Sequence, residues 1–197
     1  MRISVVLAHP NPGSFNHAIA RTAVERLRAD GHEVLFHDLY EERFPPELPA
    51  EEFRRRAELP PLVAEHCGEL REAEGLVIVH PNWWGQPPAV LKGWVDRVMR
   101  PGLAYEFLEG DSGEGVPRGL LRTRGALIFN TSNTDPRREA EVFGDPLERI
   151  WRNCIFRYCG VENVRRRNFA MVVTSTDAER RRWLDEVKEE AGAFFGA

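Results

Sequence analysis

The sequence predicts an α/β fold, a doubly wound five-stranded parallel sheet with helices on both faces. Short continuous apolar runs recur along the chain, as strands buried on both faces require. Segments with apolar residues at helical spacing separate them. Most runs give way to loops rich in proline, glycine or small polar residues. Strand–helix alternation leads, through the right-handed crossover rule, to parallel neighbours. The 197 residues fit one domain, residues 1–197, long enough to bury a substantial core.

The elements follow in order. Arg2 to His9 is an apolar run that ends at a proline-rich loop, the mark of a first buried strand. Asn16 to Asp30 reads as a helix, with Ile19, Ala23 and Leu27 spaced by four and Gly31 closing it. His32 to Leu39 is the second strand. Glu41 to Pro61 carries five prolines and many charges, which predicts a long surface excursion with one helical turn around Glu51 to Arg56. Leu62 to Ala73 is a helix, and Leu76 to His80 is the third strand. Pro88 opens a helix whose Leu91, Trp94 or Val95, and Val98 form one stripe; proline suits the first turn because its missing N–H is not needed there. Glu109 to Arg118 is a glycine-rich loop, and Arg124 to Asn130 is the fourth strand. Asp145-Pro146 begins a helix ending at Gly160, with Leu147, Ile150, Trp151, Cys154, Ile155 and Tyr158 as its apolar face. Phe169 to Thr174 reads as the fifth strand. Thr176 caps a final helix, with Glu179 three residues on as a capping box and Trp183, Leu184 and Val187 on its buried side.

Composition excludes several classes. No apolar run approaches the length needed to span a bilayer, and Met1-Arg2 leads straight into a strand without a signal-peptide pattern, so a cytoplasmic location is expected. The net charge is −4 and the pI about 5.9. A duplex-binding protein needs a basic face, so no nucleic-acid partner is expected. The arginine triplets Arg54–Arg56, Arg165–Arg167 and Arg180–Arg182 read as solvated surface. The three cysteines form no CxxC pair and read as reduced thiols. Cys154 and Cys159 would point about 140° apart on a helix, and the histidines show no HExxH spacing, so no metal site is expected. Gly110-Asp-Ser-Gly113 copies a serine-protease tetrapeptide, but in a parallel α/β chain without disulfides it reads as a loop. His80, at a strand end, reads as a core histidine bonded to a backbone carbonyl.

In a doubly wound sheet, ligands sit outside the carboxyl ends of the strands, and three distinctive loops fall there. His9-Pro-Asn-Pro-Gly-Ser-Phe-Asn16 precedes a helix N-terminus, an anion site that needs no lysine. Gly13 allows close backbone approach, while Ser14 and Asn16 can donate to phosphate. The loop is neither GxxxxGK[ST] nor GxGxxG, which disfavours an NTPase and a tightly held Rossmann dinucleotide. Pro81-Asn-Trp-Trp-Gly-Gln-Pro-Pro88 places two indoles in a loop, where they expose apolar surface unless a flat ring covers them. The bland alternative is that both pack on the following helix. Asn130-Thr-Ser-Asn-Thr134 offers hydroxyls and amides to the polar edge of the same ring, or is simply a polar turn.

These stretches resemble the NAD(P)H:quinone oxidoreductase family, the flavodoxin-like dehydrogenases that include DT-diaphorase and bacterial relatives. The resemblance is carried in order by His9 with Ser14-Phe15-Asn16, Pro81 with Trp83-Trp84-Gly85, Pro88-Ala-Val-Leu-Lys-Gly-Trp-Val-Asp-Arg97, Gly102-Leu-Ala-Tyr105-Glu-Phe107 and Asn130-Thr-Ser-Asn133. It implies a flavin, usually FAD and in some members FMN, with NAD(P)H as electron donor. His9, Ser14, Phe15 and Asn16 would hold the phosphate and ribityl portion. Pro81, Asn82, Trp83, Trp84 and Gly85 would line the isoalloxazine, with Thr131, Ser132 and Asn133 at its polar edge. Tyr105 and Phe107 would roof the pocket of an aromatic acceptor across a homodimer interface. The implied reaction is ping-pong hydride transfer to a quinone, or to an azo or nitro aromatic. Members of the family carry a Tyr and a His after the fourth strand; here that region reads Glu141-Val-Phe143-Gly-Asp145, so no catalytic acid is assigned. Two other readings fit the same residues: an ancillary regulatory flavoprotein of a potassium efflux transporter, and a flavodoxin-like module that has lost its flavin.

Overall fold

The computed structural model describes residues 1–54, 57–108, 110 and 117–196. The described elements are β1 (Arg2–Leu7), α1 (Phe15–Ala29), β2 (Glu33–Asp38), α2 (Pro61–Glu72), β3 (Gly75–Pro81), α3 (Ala89–Val98), β4 (Tyr105–Glu106), β5 (Arg118–Gly119), β6 (Gly125–Thr131), α4 (Pro136–Glu141), α5 (Pro146–Arg149), β7 (Val164–Phe169) and α6 (Asp177–Phe195). The main sheet has five parallel strands in the order β2-β1-β3-β6-β7, and β4 and β5 form a small antiparallel pair. No described helix is long and apolar enough to cross a membrane.

Alternation along the strands explains the layers. Val6, Leu76, Ile78, Ala126 and Ile128 point into a core closed by Val63 and Leu70 of α2, Leu91 and Trp94 of α3, and Trp151. Ile3, Val5, Leu7, Val77, Val79, Leu127 and Phe129 point the opposite way, onto Ile19, Ala23 and Leu27 of α1 and Val187 and Phe195 of α6. The central strands β3 and β6 are buried at every position, which is why they read as unbroken apolar runs. Thr176 and Glu179 make the capping box that starts α6. The proline-rich excursion after β2 lies directly on α3. A side chain at Gly93 would meet the carbonyl oxygen of Pro46 at 2.2 Å, so only glycine permits that approach. Glu52, on the short 3-10 turn Ala50–Phe53, forms a buried ion pair with Arg97 that clamps the excursion's far end.

The structure corrects three expectations. The fifth strand is Val164–Phe169, not Phe169 to Thr174. Met171 takes a left-handed conformation (φ 59°), and Val172–Thr174 is an exposed 3-10 turn. β7 is an edge strand, so its arginines can lay their stems along the sheet and carry their charges to the rim. Arg166 is accordingly not solvated surface: its side chain is 6% exposed and bonds Asn130, Glu148 and Asp145. The helix expected from Asp145 to Gly160 turns from α5 into a π-helix over Ile150–Phe156 and then a 3-10 turn, Arg157–Cys159. The wider turn moves the buried set to Leu147, Trp151, Phe156 and Cys159, leaving Cys154 exposed. The tetrapeptide's Asp111, Ser112 and Gly113, together with Arg55 and Arg56, lie outside the described residues.

Candidate functional site at the carboxyl edge of the sheet

The loop after β1 is set by its own polar side chains. Asn11 Oδ1 accepts from the N–H of Gly13 at 2.9 Å, and the Asn11 carbonyl accepts from Ser14 N at 3.0 Å. This turn delivers Ser14 as the N-cap of α1, with its hydroxyl accepting from His17 N at 3.4 Å. The first backbone N–H groups of α1, which a helix leaves without internal partners, therefore face the sheet edge. Asn16 is buried behind them. Its Nδ2 donates to Thr131 Oγ1 at 2.9 Å, tying the first loop to the third, while its Oδ1 has no partner among the described residues. Phe15 packs edge-on against Phe169 at 6.1 Å and near Trp183 at 5.8 Å, so its ring anchors α1 to the neighbouring strand and helix.

The loop after β3 is a tight reverse turn. Trp83 and Gln86 exchange both backbone hydrogen bonds at 3.0 Å, and both central residues are left-handed, Trp84 at φ 58° and Gly85 at φ 71°. That is the geometry of a type I′ turn. Glycine is needed at 85, because a Cβ there would sit 2.7 Å from Pro146. A tryptophan at positive φ is strained, and strain of this kind gathers at functional sites. Trp84 is fully exposed and Trp83 is 41% exposed, so neither is buried in the core; Trp94, on α3, is, at 1% exposure. The Trp83 ring approaches His9 at 6.1 Å and links the first two loops. Asn82 Oδ1 accepts from Gly85 N at 2.9 Å, and its Nδ2 donates to Glu139 at 3.1 Å.

In the third loop, Asn133 Oδ1 accepts from Val173 N at 2.9 Å, which orders the turn after β7. Ser132 is buried, and its Oγ has no partner among the described residues. His9, Ser14, Phe15, Asn16, Pro81, Asn82, Trp83, Thr131, Ser132 and Asn133 line one cavity of about 480 Å³. Trp84 and Gly85 line an adjoining one of about 550 Å³, which shares Asn82 and Thr134 with the first. The expected cofactor residues therefore come together. Tyr105 and Phe107 do not join them within one chain. They line a separate cavity of about 400 Å³ with Phe53 and Arg100, and Tyr105 packs at 4.9 Å on Tyr158.

Several histidines are pinned by their partners. Burial holds His9 below its ordinary range, and its Nδ1 accepts from Asn11 N at 3.1 Å. His80 donates from Nδ1 to the Pro81 carbonyl at 2.8 Å and accepts from the Trp151 indole at 2.9 Å; burial, helped by Arg166, pushes it down to about 4, so it is a neutral core group. Sequence reasoning missed Glu139, a buried carboxylate lining the second cavity, because nothing in its local pattern sets it apart. It also missed His17 and Asp38 behind Ser14, where the i,i+3 spacing of Ser14 and His17 was a legible signal. A third omission is the cluster of His37, Glu42, His66 and Glu69, three of which have donor atoms close enough for a metal ion. The Trp94 indole donates to His66 Nδ1 at 3.0 Å, however, which leaves the imidazole proton on Nε2, facing Glu42. A neutral imidazole that ligates through Nε2 needs that proton on Nδ1. The chemistry of the cluster is that of a buried hydrogen-bonded ion network.

The strand order, reversing direction between β1 and β3, and the crevice at that switch point define a doubly wound α/β protein of flavodoxin-like topology. The chain belongs to the flavodoxin-like fold family, whose sequence profile matches residues 1–192. It is 33% identical over 198 residues to a Haemophilus influenzae protein called an uncharacterized NAD(P)H oxidoreductase, covering 98% of this chain and 95% of that one. The NAD(P)H:quinone oxidoreductase of Methanothermobacter marburgensis has a similar structure, with a TM-score of 0.83 and 26% identity over 97% of this chain and 95% of its own. An FMN-dependent NADH-azoreductase of Bacillus anthracis, solved in complex with FMN, shares the fold at a TM-score of 0.78 and 16% identity, covering 98% of each chain.

Proposed function

We propose that the protein is a flavin-dependent NAD(P)H oxidoreductase that reduces quinones or similar aromatic acceptors. The observation that carries this reading is the switch-point cavity, whose lining includes two buried residues with side-chain oxygens unpartnered among the described residues, Asn16 Oδ1 and Ser132 Oγ. Leaving such atoms unpaired costs about 1–3 kcal/mol each, a cost that a ligand with hydroxyls and a polar ring edge removes. The residues fit a flavin. The cavity lies in the size range of small-molecule sites. It combines a helix N-terminus for phosphate, hydroxyls and amides for a ribityl chain, and an aromatic wall for a flat heterocycle.

A flavin, when bound, supplies the hydride- and electron-transfer chemistry. The N-terminus of α1 and the Ser14 hydroxyl hold the phosphate. Asn16 and Thr131 orient the ribityl chain, and Ser132 bonds the polar edge of the ring. Trp83 and the strained Trp84 would line the flavin ring, and NAD(P)H and then the acceptor would lie on that ring in turn. The second cavity, lined by Trp84, Phe143 and Pro146 beside Asn82, Thr134 and Glu139, gives them a largely apolar seat. Glu139 fixes the Asn82 amide, and through it the turn that carries both indoles. The working unit is a cytoplasmic homodimer in which Tyr105 and Phe107 of one protomer roof the acceptor seat of the other. FAD and FMN share the chemistry this site recognises.

The test is anaerobic mixing of flavin-loaded protein with NADH or NADPH. Bleaching of the flavin band is expected, followed by recolouring on addition of a quinone, an azo dye or a nitroaromatic. Absence of bleaching with either nucleotide overturns the reading.

A further inference from the structure

Ser14, His17 and Asp38 form a hydrogen-bonded chain behind the helix N-terminus. Ser14 Oγ lies 2.9 Å from His17 Nδ1, and His17 Nε2 lies 2.8 Å from Asp38 Oδ2. The other Asp38 oxygen accepts from the backbone N–H of Tyr40 at 3.0 Å and of Glu41 at 3.3 Å. Asp38 thus acts only as an acceptor, and His17 keeps a proton on Nε2 to serve it. That leaves Nδ1 as the one position able to change. Without a proton there, Nδ1 accepts from Ser14, which turns the hydroxyl hydrogen inward and presents only lone pairs to the cavity. With a proton, Nδ1 donates to Ser14 Oγ. The hydroxyl then already accepts from Nδ1 and from His17 N, so its own hydrogen turns outward. An anion at the start of α1 meets repulsion in the first state, and in the second a donor backed by a cation.

We propose that His17 takes up a proton when the phosphate of a flavin binds at the N-terminus of α1, so that phosphate affinity depends on pH through this one imidazole. The ligand rests on the flavin reading above; the protonation is a separate claim. That a polar ligand belongs here does not depend on the helix alone, since the same cavity is lined by buried Asn16, whose Oδ1 has no partner among the described residues and suits a ligand hydroxyl.

The groups facing His17 support this assignment. His9, on the loop after β1, meets its ring edge-on at 6.2 Å, and burial lowers the His9 pKa. The end of β2 contributes Asp38, and the loop after it Tyr40 and Glu41, which line one cavity with His17. Burial raises the Tyr40 phenol, so Asp38, bonded to His17 Nε2 at 2.8 Å, is the anion placed to offset an imidazolium. Arg180, the cation lining the flavin cavity from α6, spends its Nε on Ser175 Oγ at 2.9 Å and its Nη2 on the Val172 carbonyl at 3.2 Å.

The experiment titrates FAD, FMN and riboflavin into the full-length protein by flavin fluorescence between about pH 6 and pH 9, a range spanning the ordinary imidazole titration. For FAD, whose phosphates do not titrate there, Kd is expected to rise with pH, by at most about tenfold per unit as one-proton linkage requires. Riboflavin, which lacks phosphate, is expected to give a flat profile. His17→Gln, which keeps a side-chain donor but cannot gain a charge, is expected to flatten the FAD profile at the weak-binding level. Calorimetry of the wild type in two buffers of different ionisation heat reads the proton directly and does not depend on the variant folding. Uptake approaching one proton per FAD on the steep part of the profile is expected. FAD binding with a flat profile and no proton uptake overturns this inference and leaves the flavin reading standing. Equal slopes in the wild type and His17→Gln overturn it as well. No binding of any flavin at any pH overturns both.

Discussion

Two pairs of tryptophans show how one residue type serves two ends in this molecule. Trp94 and Trp151 are buried in the core on one side of the sheet, and each spends its indole N–H on a histidine, His66 and His80. Burying a large ring and pairing its one polar atom is how tryptophan stabilises a fold. Trp83 and Trp84 do neither. They stand in a turn that strains Trp84 into left-handed backbone, and Trp84 gives its whole surface to solvent. The first pair fits a stability role and the second costs stability. On the function proposed above, a ligand that covers the indoles offsets that cost.

The largest test of this contrast is Trp151→Ala. It leaves a cavity and an unpaired His80 nitrogen, and is expected to cost about 3–5 kcal/mol, read as a lowered midpoint in urea unfolding. Trp94→Phe keeps one aromatic ring but removes the donor to His66 and part of the indole's volume, with an expected loss of about 1–3 kcal/mol in the same assay. Trp84→Ala should reverse the pattern, with stability within about 0.5 kcal/mol of wild type and flavin retention weaker by about tenfold. Trp84→Gly sharpens the contrast further. Relief of the left-handed strain should raise stability by up to about 1 kcal/mol while flavin retention falls. If Trp84→Ala unfolds the protein as readily as Trp151→Ala, the distinction between the pairs collapses.

A smaller effect belongs to the ion network beneath Trp94. Burial alone would lower His37, but hydrogen bonds and charge from Glu42 and Glu69 outweigh it and raise the imidazole above its ordinary value of 6.5. Its stabilising contribution is therefore complete below pH 6.5 and lost as pH climbs through the raised value. Glu42 behaves in the opposite sense. Burial would raise it, yet bonds from His37 and His66 hold it at about 2, so its contribution is complete above pH 4.5 and lost as pH falls towards 2. Urea midpoints across pH should decline on both flanks. His37→Gln should flatten the alkaline flank, whereas a wild-type midpoint that stays level above neutrality contradicts the network.

The contrast also explains what could be read in advance. β1, β3 and β6 were legible because strands buried on both faces leave unbroken apolar runs, and α6 because Thr176 and Glu179 sit at capping-box spacing. The three loops were legible because punctuation by proline, glycine and asparagine marks strand ends. β7 was not, since an edge strand with arginine at 165, 166 and 167 owes its position to partners far along the chain, such as Glu186 and Asp145. The π-helix was hidden for a related reason: a stripe drawn at 3.6 residues per turn selects Cys154, and only tertiary packing chooses Phe156 instead. Likewise Asn16, Ser14 and the tryptophan turn were found from local pattern. Glu139, Asp38 and the His37 network depend on contacts across the fold.

The most direct measurement is a crystal structure of the protein grown with FAD or FMN. The account predicts flavin density with its phosphate against the first turn of α1, hydrogen bonds to Asn16 Oδ1 and Ser132 Oγ, and the ring against the Trp83–Gln86 turn. A groove empty at saturating flavin, or a flavin bound elsewhere with both oxygens still unpaired, contradicts it.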